Sequence, residues 1–164
     1  MTRAAILRWP DPRLSKVCAP ATPGPDVANL ARDLFETMYA APGRGLAAPQ
    51  IGVLLRVFVM DVTWKEGTPR PWVCINPELR LEGDVVSSTE GCLSIPGLTT
   101  DVARKTRAVM SYTDLAGRHQ RVTLTGAEAI CAQHEADHLD GIVTFDRLSA
   151  PDRMRAVSDY EALP

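Results

Sequence analysis

Residues 133–141 read QHEADHLDG, which places His134 and His138 four apart with Glu135 directly after the first. On an α-helix, positions i and i+4 differ by about 40° and lie roughly 6 Å apart along the axis, so both imidazoles can face one ion. Glu135 stands about 100° round from His134, off the ion but near enough for its carboxylate to meet a water there. The pattern is HExxH: two neutral imidazoles for a metal, and a carboxylate to take a proton from water. The pair also admits a simpler reading as the polar surface of a helix. Asp137 and Asp140 fall on other faces, as partners of a site or as solvated groups.

A metal held by two histidines needs at least one more ligand. The chain has three histidines, and the third, His119, follows DLAGR in an apparent hairpin turn and reads as exposed. A cysteine or a carboxylate is the better expectation. Cys131 shares the face of both histidines, but its Cα is roughly 10 Å along the axis from that of His138, too far for so short a side chain. It reads as part of the site wall. Cys18 stands in a proline-rich segment and Cys74 among apolar strand neighbours, so both read as structural. By elimination the missing ligand is Cys92, in TEGCLSIPG, where a cation would favour the thiolate.

The elements that must position these groups are legible in outline. Asp26 is a candidate cap for a helix from Val27, with Val27, Leu30, Ala31, Leu34 and Met38 on one face, ending at APGRG. Leu55–Val62 and Pro71–Ile75 have strand character, the first so apolar that both faces are expected to be buried. RAVMSY, DLAG and HQRVTLT suggest a hairpin near residues 107–124. Thr125 and Glu128 have capping-box spacing for the helix that carries the histidines, and Gly141 is its expected stop. Ser149 is a candidate cap for a short last helix. The first 25 residues are expected to form turns and one short helical piece. An α+β chain of one domain over residues 1–164 follows.

Composition bounds the function classes. The net charge of −2 gives no electrostatic footprint for nucleic acid. No apolar run approaches the roughly 18 residues needed to span a bilayer, so a cytoplasmic protein without membrane partners is expected. Four cysteines without CxxC spacing argue against a disulfide framework or a thiol redox protein.

Taken together, GRGLAAPQ (Gly43–Gln50), EGCLS (Glu90–Ser94) and HEADH (His134–His138) resemble the three motifs of the peptide deformylase family, in its order. The resemblance extends to PDPRL, GLAAPQIGVLLRVFVMDV, NPEL and Arg104, nearly the whole chain. It implies antiparallel sheets surrounding a central HExxH-bearing helix. It further implies that Cys92, His134 and His138 hold one divalent ion, Fe(II) in the cell, with Zn(II) or Ni(II) as replacements. Glu135 would be general base and then general acid toward the attacking water. The Gln50 amide and the Leu93 backbone N–H would stabilise the oxyanion, Gly45 would let substrate backbone approach, and Glu90–Arg104 would be a supporting ion pair. The implied reaction removes the formyl group from N-formylmethionyl nascent polypeptides, with transient ribosome proximity as the implied setting.

Two positions depart from the family pattern. Arg44 and Ser88 stand where aliphatic residues are usual, beside the methionine pocket. Arg44 is expected either to face solvent or to widen preference toward polar or acidic side chains. The rival reading is a zincin-like peptidase, which shares HExxH but leaves EGCLS and GLAAPQ unexplained.

Overall fold

The computed structural model describes residues 3–164. Its helices are α1 (Pro25–Ala40), α2 (Gly126–Leu139) and α3 (Ala150–Glu161). Its strands are β1 (Gly45–Ala47), β2 (Val57–Met60), β3 (Trp72–Cys92), β4 (Ile95–Thr113) and β5 (His119–Thr125). All pairings between these strands are antiparallel, in the order β1-β2-β3-β4-β5, so the fold is α+β. Several sheets were expected, whereas the ladder runs unbroken through one. Register shifts between Ile75 and Glu78, between Glu82 and Val85, and at Gly91–Cys92 let the two long strands change direction within it.

The strand predicted over Leu55–Val62 is shorter, Val57–Met60, and all four of its residues are buried. Val57 and Val59 join the apolar face of α1 (Val27, Leu30, Ala31, Leu34, Met38), while Phe58 and Met60 join the cluster under α2. A strand buried on both faces shows no alternation, which is why it reads as one apolar run. Helix α1 starts at Pro25 after Gly24, not at Val27. Asp26 therefore lies inside the first turn, where its charge meets the positive end of the helix dipole, and does not cap.

Two further expectations are corrected. The strand expected over Pro71–Ile75 begins at Trp72 and is only the opening of the 21-residue β3, whose stretch from Leu81 to Ser87 is largely exposed. Pairing with β4, not burial, keeps that part extended. The capping box at Thr125 does not form. Thr125 precedes α2 without a side-chain cap bond, and Glu128 instead accepts from Trp72 Nε1 at 2.9 Å and from Arg70 at 3.2 Å. The Ser149 cap does form, its hydroxyl accepting from the Asp152 N–H.

A strap of chain before α1 laces the motif-bearing segments together. The Leu7 N–H donates to the Gln50 carbonyl (2.7 Å), Trp9 N–H to Ser94 (2.9 Å) and Cys18 N–H to Leu139 (2.9 Å). The expected short helical piece is Pro12–Ser15, and it buries Leu14. Gly141 closes the far end: its φ is +74°, and an added Cβ would lie 2.7 Å from the Ser15 carbonyl carbon and oxygen. A left-handed backbone costs an L-residue about 1–2 kcal/mol before any clash. Gly141→Ala should therefore lower unfolding stability by at least about 1 kcal/mol in urea titration, and wild-type stability would refute this clamp.

Candidate active site

Three segments converge where β3 turns into β4 and α2 passes behind. Cys92 is the last residue of β3, and His134 and His138 project from α2. One ligand atom from each lies within 4.8 Å of the other two, with Cys92 Sγ 3.5 Å from His138 Nε2. Two helical histidines a turn apart meet a thiol 42 residues upstream of the first. Their surroundings suit a cation. His134 Nδ1 pairs with Glu90 Oε1 at 2.9 Å, which leaves Nε2 for ligation. The Nδ1 of buried His138 has no partner among the described residues.

Behind His134 stands a buried charge network. Arg104 grips Glu90 with Nε and Nη2, both at 2.9 Å, and donates from Nη1 to Asp137 at 2.7 Å. Arg147 then grips Asp137 at 2.6 and 3.1 Å. Burial works against ionisation of Glu90, but the hydrogen bonds from Arg104 and His134 outweigh it and hold its pKa at about 2. Burial likewise opposes charge on His134, yet its bonds to Cys92 and Glu90 raise its pKa well above the ordinary value. His138, buried and beside His134, is pushed well below. A cation at this place would compete with a proton on His134, as ligation requires.

Glu135 lies across from these groups, 4% exposed, and its Oε2 has no partner among the described residues. Burial pushes its pKa up to about 7. A neighbouring cation works in the opposite direction. Gly45 makes room for the carboxylate: a Cβ there would fall 2.6 Å from Glu135 Oε1 and 2.9 Å from Cys131 Sγ. Cys131 is part of the wall, with its thiol 3.8 Å from the Arg44 carbonyl.

Gln50 is held in one orientation. Its Oε1 accepts from the Ala47 N–H at 3.0 Å, so Nε2 must face the other way. There Nε2 donates to Ser94 Oγ at 3.0 Å and lies 3.8 Å from Cys92 Sγ. The second N–H thus points toward the thiol with little to hold it. Ser94 is fully buried, and nothing in the sequence marks it, because a serine in a polar segment carries no signal of what it touches. Of the two readings of Asp137, the fold selects the buried one, as partner of Arg104 and Arg147. Asp140 is solvated and pairs with Arg56. His119 opens β5, exposed and away from the cluster.

Gln50, Glu90, Cys92, His134 and Glu135 line a cleft of about 930 Å³, together with Leu93, Ser88, Ala127 and Ile130, and His138 lies behind it. Arg44 reaches its rim and pairs with Glu66 at 3.1 Å, both about half exposed. Its carbonyl belongs to the wall beside Cys131, while its guanidinium turns outward to Glu66.

A thiol and two imidazoles that could hold a metal ion, with a buried carboxylate beside them, are the parts of a metallohydrolase. Comparison with known proteins makes this specific. The family model described as polypeptide deformylase matches residues 3–154. A peptide deformylase from Alkalilimnicola ehrlichii is 46% identical over 96% of this chain and 89% of its own. The crystal structure of a peptide deformylase from Legionella pneumophila superimposes with a TM-score of 0.90 at 38% identity, over 98% of this chain and 94% of its own. One from Synechococcus elongatus, in complex with actinonin, gives 0.91 at 35%, over 96% and 88%. The chain belongs to the peptide deformylase family. A zincin-like peptidase would leave Cys92 and Gln50 idle in the cleft.

The Glu90 environment sets a pH dependence. A carboxylate depressed to about 2 from an ordinary 4.5 adds stability above pH 4.5, and that stability is lost as pH falls toward 2. Glu90→Gln should therefore lower stability at neutral pH and flatten the acid limb of the stability–pH curve between those values. An unaltered limb in chemical unfolding would refute it.

Proposed function

We propose that the Cys92–His134–His138 cleft is where this peptide deformylase removes the formyl group from the N-terminus of nascent N-formylmethionyl peptides. The observation that carries the reading is the meeting of those three ligand atoms beside a buried carboxylate with an unpartnered oxygen. The chain is read as one domain, with α2 as the central element, since it packs against all five strands. Cys92, His134 and His138 would hold one divalent ion. A thiolate with two imidazoles suits Fe(II), with Zn(II) and Ni(II) as substitutes. Such an ion supplies Lewis acidity, making water a nucleophile near neutral pH.

The remaining work falls to the chain. Glu135 Oε2 takes a proton from water as its oxygen adds to the formyl carbon. The Gln50 N–H facing the thiol, with the Leu93 N–H at the β3–β4 turn, donates to the oxygen on which charge grows. Each such donor contributes roughly 3 kcal/mol. The C–N bond then breaks, Glu135 returns its proton to the amine, and formate and a free N-terminus leave.

Substrate backbone has a natural partner in β1, which is an edge of the sheet. The Asp61 N–H donates to the Arg44 carbonyl, and β1 pairs Gly45 with Met60 and Leu46 with Val59. Arg44 and Leu46 therefore bond toward β2, and the N–H and C=O of Gly45 face the open edge. An extended peptide can add there, its methionine side chain directed toward α2 at Ala127 and Ile130. Ser88, on the same cleft, makes that pocket more polar than an aliphatic residue would. No helix is long and apolar enough to cross a membrane. The cytoplasm, close to emerging nascent chains, is the proposed setting.

Glu135→Gln should lower formate release from formyl-Met-Ala-Ser by about 10²–10⁴-fold while the protein still binds one metal ion. Turnover near wild type in metal-loaded Glu135→Gln would remove the proposed role.

A further inference from the structure

The rim of the cleft carries cationic charge that the reaction does not use. Of the cleft residues, Glu90 is bound by Arg104 and Glu135 lies deep beside His134, which leaves Arg44 and Lys65 as the charged groups toward solvent. Arg44 shares its charge with Glu66 at 3.1 Å. Lys65 Nζ rests 5.7 Å from the Trp64 ring centroid and has no ion-pair partner among the described residues. The Trp64–Glu66 turn is fixed over this rim, because Trp64 Nε1 donates to the Gly43 carbonyl at 2.8 Å. Arg44, Lys65 and Glu66 together leave one net positive charge.

Strand geometry decides which part of a substrate meets it. Side chains alternate along β1: the Gly45 position faces Glu135 and Cys131 of α2, so Arg44 lies on the opposite face. Residues opposite one another on paired strands share a face. A peptide extended along β1 with its methionine toward α2 therefore directs the following side chain to the face of Arg44 and Lys65. We infer that Arg44 and Lys65 select for an acidic residue directly after the formylmethionine, so that formyl-Met-Asp and formyl-Met-Glu chains are the preferred substrates. This rests on the deformylase reading of the cleft and on the docking along β1.

The test is kcat/KM for formate release from formyl-Met-Xaa-Ser, with Xaa as Asp, Glu, Ala or Lys, at low and at 0.5 M added salt (a value chosen to shrink the screening length to about 4 Å). Solvent-exposed charges at this range interact weakly, so Asp should exceed Lys by about 3- to 10-fold at low salt. The ratio should collapse toward unity at high salt and in Arg44→Ile/Lys65→Ala, and it should rise in Glu66→Gln. An Asp-to-Lys ratio near one in the wild type, or a ratio unchanged in the double variant, overturns the inference. Failure to release formate even from formyl-Met-Ala-Ser would instead overturn the deformylase reading, so the two failures are distinguishable.

Discussion

The Arg104–Glu90 pair is the interaction on which the rest of the site depends. It joins β4 to β3 and fixes the His134 ring through Glu90, while its third bond reaches Asp137 on α2. All of these groups are buried or nearly so. A guanidinium in such a place is tolerated only because its planar fork meets two carboxylates and leaves neither charge alone. Removing one member would strand a buried charge, with consequences of about 3–5 kcal/mol. The same arrangement sets the tautomer of His134, so stability and ligand geometry are bound into one network.

Much of the chemistry was legible because it is local. Two histidines one helical turn apart, with a glutamate alongside, declare their relation without any tertiary knowledge. Cys92 followed by elimination, since the other cysteines lay on apolar or unsuitable segments. What could not be read are relations between distant segments. Glu128 has the spacing of a capping partner, yet Trp72 at the start of β3 and Arg70 just before it claim it. Arg147 lies ten residues beyond Asp137, and nothing in that spacing announces a bidentate grip. The middle of β3 is extended through its partner β4 and buries little, so periodicity has nothing there to report.

Gln50 illustrates how a polar side chain is made directional. An amide alone presents donor and acceptor ends with no preference between them. The Ala47 N–H occupies the oxygen, and Ser94 anchors the nitrogen, so the remaining hydrogen points toward the Cys92 thiol, where the proposed mechanism would place the anion. Such preset donors need no reorganisation as charge develops, which is the source of their effect. Gly45 contributes in a complementary way: it has no side chain to keep the strand away from Glu135.

The strap that runs from Leu7 to Cys18 touches the backbones of Gln50, Ser94 and Leu139, one from each of the three motif segments or its immediate end. These are main-chain bonds, indifferent to side-chain identity. Their sequence separations are long, and contacts of that kind form late and slowly. During synthesis the earliest part of the chain must wait for nearly the last before it can be laced in place. The three motif segments are thus tied together only after α2 has been made, and until then the strap has nothing to hold.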